Sequence, residues 1–130
     1  TNVLFVDPMP RAQALSLVAA SDAAVVPLRD NPLFRGAIPS KLFEAQALGK
    51  PLLLGVDGEA RELFIEQGGG GVYFTPEDPQ ALAAAVRELL ADPGKAEALG
   101  QAGARYVREH FDRKRIGDRL WGALRPLLRR

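Results

Sequence analysis

The feature that most constrains this chain is an alternation. Short apolar runs, each bounded by turn residues, are separated by segments whose apolar residues recur at helical spacing. Val3-Leu4-Phe5-Val6, Ala23 to Leu28, Pro51-Leu52-Leu53-Leu54 and Gly71-Val72-Tyr73-Phe74 are the runs. Between them, Arg11 to Ala20 places Leu15, Val18 and Ala19 on one helical face, Pro39 to Leu48 reads as a helix closed by Gly49, and Glu59 to Gln67 reads as another. Strands alternating with helices build βα units around a parallel sheet. Ala23 to Leu28 carries no polar alternation, so it is expected to be buried on both faces as a central parallel strand. The predicted fold class is α/β, with a parallel sheet of about four strands flanked by helices.

After Phe74 the alternation stops. Asp78 before Pro79 gives an N-cap and a first-turn proline, and Leu82, Val86, Leu89 and Leu90 then mark one apolar face. Asp92-Pro93 ends that helix. A second runs from about Lys95 to His110 with Leu99, Gly103, Tyr106 and Val107 inward, and Asp112 caps a third carrying Ile116, Leu120, Leu124 and Leu127, with a kink expected near Pro126. Three successive helices make a helical tail. No linker or internal repeat interrupts residues 1–130, which read as a single domain.

Composition removes several chemistries. With no cysteine there is no disulfide, thiol nucleophile or thiolate metal site, and the single histidine, His110, cannot build a histidine metal centre or a Ser/His/Asp triad within the chain. Seventeen basic residues against 16 acidic ones leave a net charge of +1, without the concentrated positive charge of a nucleic-acid binder. No apolar run approaches the ~20 residues of a membrane span, and the first residues lack a signal-peptide pattern. A cytoplasmic location is expected, with the inner face of the membrane as a further place of contact.

The most informative stretch is Arg29 to Pro51, RDNPLFRGAIPSKLFEAQALGKP. It leaves the carboxyl end of a strand and enters a helix, which is where open α/β sheets bind ligands. Pro39, Ser40 and Lys41 open that helix, so unpaired N–H groups lie beside a hydroxyl and an ammonium, a setting suited to a phosphate. Glu44, one turn on, is placed to accept ribose hydroxyls. The plainer alternative keeps Ser40 as an N-cap, Lys41 as a solvated side chain and Glu44 as a first-turn carboxylate. A capping box accounts poorly for Glu44, which stands four residues after Ser40 and not three.

IPSKLFEAQALGKPLLL, preceded by AASDAAVVPL and followed by GGGGVYFTPEDPQALAAAVRELLADP, resembles the C-terminal, donor-binding domain of GT-B-fold group 1 retaining glycosyltransferases, in particular those of polysaccharide biosynthesis. The resemblance runs in order along essentially the whole chain. It implies a Rossmann-like sheet and the binding of a nucleotide-diphosphate sugar as donor substrate. It also implies transfer to a polysaccharide, lipid-linked or other glycan acceptor, with no metal or other cofactor. By this resemblance Glu44 matches the second glutamate of the family's pair and holds the ribose, while Ser40, Lys41 and Leu42 match the segment that meets the diphosphate. Met9 and Pro10 lie in the loop that edges the nucleobase. The place of the first glutamate is taken by Gly36, so no catalytic residue is assigned.

Family donor domains begin with two more strand–helix units and follow an N-terminal acceptor domain. The chain is therefore expected to be part of a longer donor domain, inactive alone, with its start ahead of Val3 reading as a cut. The missing strands would lie between Val3–Val6 and Ala23–Leu28. Those two runs would then pair directly, exchange between copies in a self-associated form, or leave an edge exposed.

Other signals read as structural. Gly68 to Gly71 leaves a helix and enters a strand, the reverse of a phosphate loop. Asp57-Gly58-Glu59 has strand-to-helix order and reads as a turn or as a border of the sugar site. His110 sits favourably at a helix C-terminus. Arg113, Lys114, Arg115, Arg119, Arg125, Arg129 and Arg130 make the last helix basic, a solvated face or a contact with an anionic membrane surface, and Trp121 reads as packing on the absent N-terminal half. The competing class is a receiver-like signalling domain or a noncatalytic scaffold. A receiver needs clustered acidic residues at its first strand, and Asp7 stands alone.

Overall fold

A computed structural model describes residues 2–129. Its sheet has three parallel strands in the order β1 (Ala24–Pro27), β2 (Leu52–Gly55), β3 (Gly71–Tyr73). Ala24 stands opposite Leu52, and Leu52 opposite Gly71. The helices are α1 (Arg11–Ala20), α2 (Ser40–Ala47), α3 (Glu59–Arg61), α4 (Pro79–Ala91), α5 (Pro93–His110) and α6 (Arg113–Leu124). A wider-wound π segment, Glu62–Gln67, continues α3, and 3-10 turns occupy Pro32–Phe34 and Arg125–Arg129. The turn at Arg125–Arg129 falls where Pro126 removes a helical N–H. Arg130 and the side chain of Arg129 lie outside the described residues.

Two expectations about the open side of the sheet are corrected. Val3–Val6 is not a strand: Leu4 is 84% and Phe5 93% exposed, and neither makes a ladder bond. A strand needs a hydrogen-bonded neighbour, and the described residues supply none to lie between this segment and β1. For the same reason β1 is an edge and not a central strand. Val26 points into the core, whereas Val25 is 45% exposed. Within the single chain the two runs do not pair with each other, and β1 is left at the edge of the sheet. A third correction concerns Leu90, which is 73% exposed because it lies beside, not on, the stripe of α4 that packs on the sheet.

β2 is the centre. All four of its residues are buried, and Leu52 and Leu54 join Val26, Leu42, Ala45, Val56, Ala60, Phe64 and Val107 in one core. Burying each of those two leucines contributes about 2 kcal/mol. Leu53 points to the other face and packs with Phe74, Ala85 and Leu89. The helices of the tail begin on side-chain caps. Asp78 accepts from the N–H groups of Gln80 and Ala81, Asp92 from that of Lys95, and Asp112 from that of Arg115.

α2 is held in register by a polar pin and an aromatic cluster. Gln46 is fully buried and donates its Nε2 to the carbonyl of Gly70 at 3.0 Å. A Cβ at Gly70 or at Gly103 would strike the Gln46 amide, so both glycines open the slot that it fills. Phe43 meets the rings of Phe64 and Phe111 edge-on, with centroids 4.9 and 5.0 Å apart. Tyr106 of α5 joins the cluster through Phe111 and donates its hydroxyl to Gln67 Oε1 at 3.1 Å. The first turn of α2 is therefore fixed from behind.

Candidate functional site

The start of α2 lies beyond the carboxyl end of β1, where the chain crosses through Leu28 to Pro39. That crossing is tied down at several points. Leu28 donates its N–H to the Gly55 carbonyl, Asp30 to the Glu77 carboxylate at 2.9 Å, and Glu59 to the Arg35 carbonyl at 2.8 Å. Gly58 is required there: its φ is +84°, and a Cβ would collide with the Arg35 backbone. Asp57-Gly58-Glu59 thus forms the turn that seats this crossing, and the recess lined by Arg35 and Asp57 holds about 10 Å³.

Pro39, not Ser40, occupies the N-cap of α2, and it supplies no side-chain acceptor. Ser40 is the first helical residue. The Leu42 N–H turns back to the Pro39 carbonyl at 3.0 Å, while among the described residues the N–H groups of Ser40 and Lys41 have no acceptor. α4, α5 and α6 each begin on an N-cap aspartate whose side chain accepts from the first turn, whereas α1 and α2 have no side-chain cap, and in α2 the N–H groups of Ser40 and Lys41 stay free among the described residues. With the partial positive charge of a helix N-terminus, such donors favour an anion.

The side chains divide by helical phase. Leu42 is fully buried, and its role is to anchor the helix in the core. Ser40 and Lys41 are exposed, and Glu44 is half-buried. Lys41 and Glu44 both line a cleft of about 330 Å³ bounded by Val18 of α1 and by Val25 of β1. Opposite charges one turn apart at an open cleft can meet a molecule carrying both an anion and vicinal hydroxyls.

Arg11 is the site residue that sequence reasoning missed. Its guanidinium donates through Nη2 at 2.6 Å and through Nε at 3.2 Å, both to Oε1 of Glu44, which leaves Oε2 open. Nothing local could reveal a pair 33 positions apart; the only signal was a basic residue immediately after Pro10, on the first turn of α1. Pro10 is the N-cap of α1 and its carbonyl accepts from Gln13 and Ala14, so the Met9–Pro10 loop is carried to the border of the α2 terminus by the Arg11–Glu44 ion pair. Met9 is half-buried and Pro10 exposed. Gly36, at the place of the first glutamate, has open space around it.

A three-layer parallel α/β domain with an uncapped helix N-terminus at the carboxyl ends of its strands is what these elements define. The model of the family described as glycosyl transferases group 1 matches residues 1–106, and the chain belongs to that family. It is 35% identical over 108 residues to the glycogen synthase of Mycobacterium tuberculosis, covering 83% of this chain and 25% of that protein. It is 30% identical over 125 residues to a GDP-mannose-dependent alpha-(1-6)-phosphatidylinositol monomannoside mannosyltransferase of Mycolicibacterium smegmatis, covering 92% of this chain and 31% of that one. Among solved structures it matches a sucrose-phosphate synthase of Thermosynechococcus elongatus with a TM-score of 0.79 and 26% identity, over 96% of this chain and 30% of that chain. This chain thus folds as one part of that GT-B enzyme does. The chain spans about a quarter to a third of the length of these relatives. Family membership also replaces the receiver-like alternative.

Proposed function

We propose that this chain is the donor-binding part of a retaining glycosyltransferase. In this reading a nucleotide-diphosphate sugar rests its diphosphate on the Ser40 and Lys41 N–H groups and the Lys41 ammonium. Its ribose hydroxyls reach the open oxygen of Glu44, and its base lies toward Met9 and Pro10. Leu42 anchors the turn. The observation that carries the reading is the uncapped start of α2, with Lys41 and Glu44 facing one cleft.

Charge builds on the leaving diphosphate during transfer, and preorganised N–H groups with a cation stabilise such charge without reorganising. In this scheme the chain's own donors do that work, and no metal is assigned a role. The acceptor is a polysaccharide, lipid-linked or other glycan, in keeping with the glycan and phosphatidylinositol substrates in the names of its relatives. It is bound by a separate N-terminal domain, so these residues alone bind donor without turnover, in the cytoplasm.

Titration calorimetry against a panel of nucleoside diphosphates and their sugars tests the reading. Binding of at least one is expected. Lys41→Ala and Glu44→Ala should each weaken it about tenfold or more, because each removes a charge-assisted hydrogen bond to the donor. Absence of any nucleotide binding, or unchanged affinity in both variants, overturns it.

A further inference from the structure

Arg11 opens α1, and nothing within that helix asks for a cation there. The partial positive charge of a helix N-terminus disfavours a basic side chain on the first turn, and α1 carries no acidic residue on that turn to offset it. The guanidinium is answered from another βα unit, by Glu44 of α2. The Arg11 side chain is 76% exposed, so the pair contributes little to folding. Its geometry is uneven. Nη2 and Nε both converge on Oε1, whereas a parallel fork would engage both carboxylate oxygens. Oε2 accepts no hydrogen bond among the described residues. Glu44 lines the cleft beside Lys41, while Arg11 is not among the residues that line it and holds the carboxylate from outside.

A glutamate on a helix surface samples several rotamers, and a ligand that needs one of them loses affinity in selecting it. A carboxylate already gripped by one oxygen presents the other at a set place. We propose that Arg11 is a positioning residue: it preorganises Glu44 so that Oε2 meets the sugar hydroxyls of the donor, and it thereby sets a preference for ribose over deoxyribose. The inference rests on the donor-site reading above and adds to it a residue that touches no donor atom. A different role for Arg11 would be to offset the repulsion between Glu44 and the diphosphate. That role acts equally on ribose and deoxyribose ligands, because both carry the same phosphates. The ratio of the two affinities therefore isolates orientation from charge.

Titration calorimetry of the 130-residue chain against adenosine, guanosine and uridine diphosphates and their deoxyribose counterparts measures that ratio. For a diphosphate that binds, the parent should prefer the ribose form about tenfold, as one hydrogen bond to a charged acceptor would give. Glu44→Ala should erase the preference. Arg11→Ala should cut it to about threefold, and Arg11→Lys, which keeps the charge but not the two converging N–H groups, should fall between Arg11→Ala and the parent. Far-ultraviolet dichroism and melting of both Arg11 variants should match the parent, since the side chain is exposed. If Glu44→Ala erases the preference and Arg11→Ala leaves it at the parent value, the positioning role is overturned while the donor site stands. Equal weakening of both forms by Arg11→Ala also overturns it and assigns charge balance instead. If no diphosphate binds, or the parent has no ribose preference, the reading of Glu44 itself fails and this inference with it.

Discussion

Val26 on β1 is 2% exposed while its neighbour Val25 is 45% exposed; on β2, one strand over, every residue from Leu52 to Gly55 is buried. The two strands have similar apolar character and the same length, and they pair with each other residue for residue. What separates them is company. β2 has a strand on both sides and helices on both faces, whereas β1 has β2 on one side and an open cleft on the other. Burial in a parallel sheet is thus a property of position in the sheet, and strand composition only permits it.

Substitutions can sharpen that contrast or break it. Leu54→Ala should cost about 3 kcal/mol, measured as a fall in the denaturant midpoint at constant slope, because it empties a fully buried site between two layers. Gly100→Ala should come next, at about 2 kcal/mol, since its Cβ would collide with the Gly49 carbonyl where α5 crosses the entrance to β2. Val25→Ala should cost less than about 1 kcal/mol. A loss at Val25 as large as that at Leu54 would mean that the edge of β1 is covered in solution. On the open side, Arg11→Ala should change stability by no more than about 0.5 kcal/mol, because an exposed ion pair contributes little.

The smallest effect is a pH dependence on the packed side. Burial of the Tyr106 ring, helped by the nearby Glu62 carboxylate, raises its hydroxyl above the ordinary 10.0. The folded state therefore resists ionisation more than the unfolded chain does. Tyr106 should leave stability unaffected below that ordinary value and subtract from it as pH climbs through the raised one. Melting curves of Tyr106→Phe should show a shallower alkaline decline than the parent; an identical decline would remove Tyr106 as its source.

Sequence reasoning captures whatever local chemistry decides. Asp78 and Asp112 cap α4 and α6 as the residue pattern predicts, whereas Asp92, expected only to end α4 together with Pro93, also caps α5, which starts at Pro93 and not at Lys95. β2, β3 and α2 fall within a residue or two of their expected limits for the same reason, and the glycines after Gln67 serve a helix end and a strand entry as expected. Val3–Val6 and β1 depart from expectation because pairing and burial depend on neighbours that a linear pattern does not show. At the site, Ser40, Lys41 and Glu44 can be picked out as one turn of one helix. That Pro39 holds the cap, that the Leu42 N–H is already used, and that Arg11 grips Glu44 are facts of three-dimensional approach.

Gln46 adds one consequence. Its Nε2 is bonded to Gly70, but its Oε1 has no partner among the described residues, so an apolar side chain of similar volume would fill the slot and forfeit a single hydrogen bond. What an apolar replacement could not do is discriminate. A methionine would tolerate α2 rotated or slid by part of a turn, whereas the amide meets its carbonyl in one setting only. The bond therefore works as an index mark on a dial: it selects, among nearly equivalent packings of α2 against the sheet, the single phase in which Lys41 and Glu44 look into the same cleft.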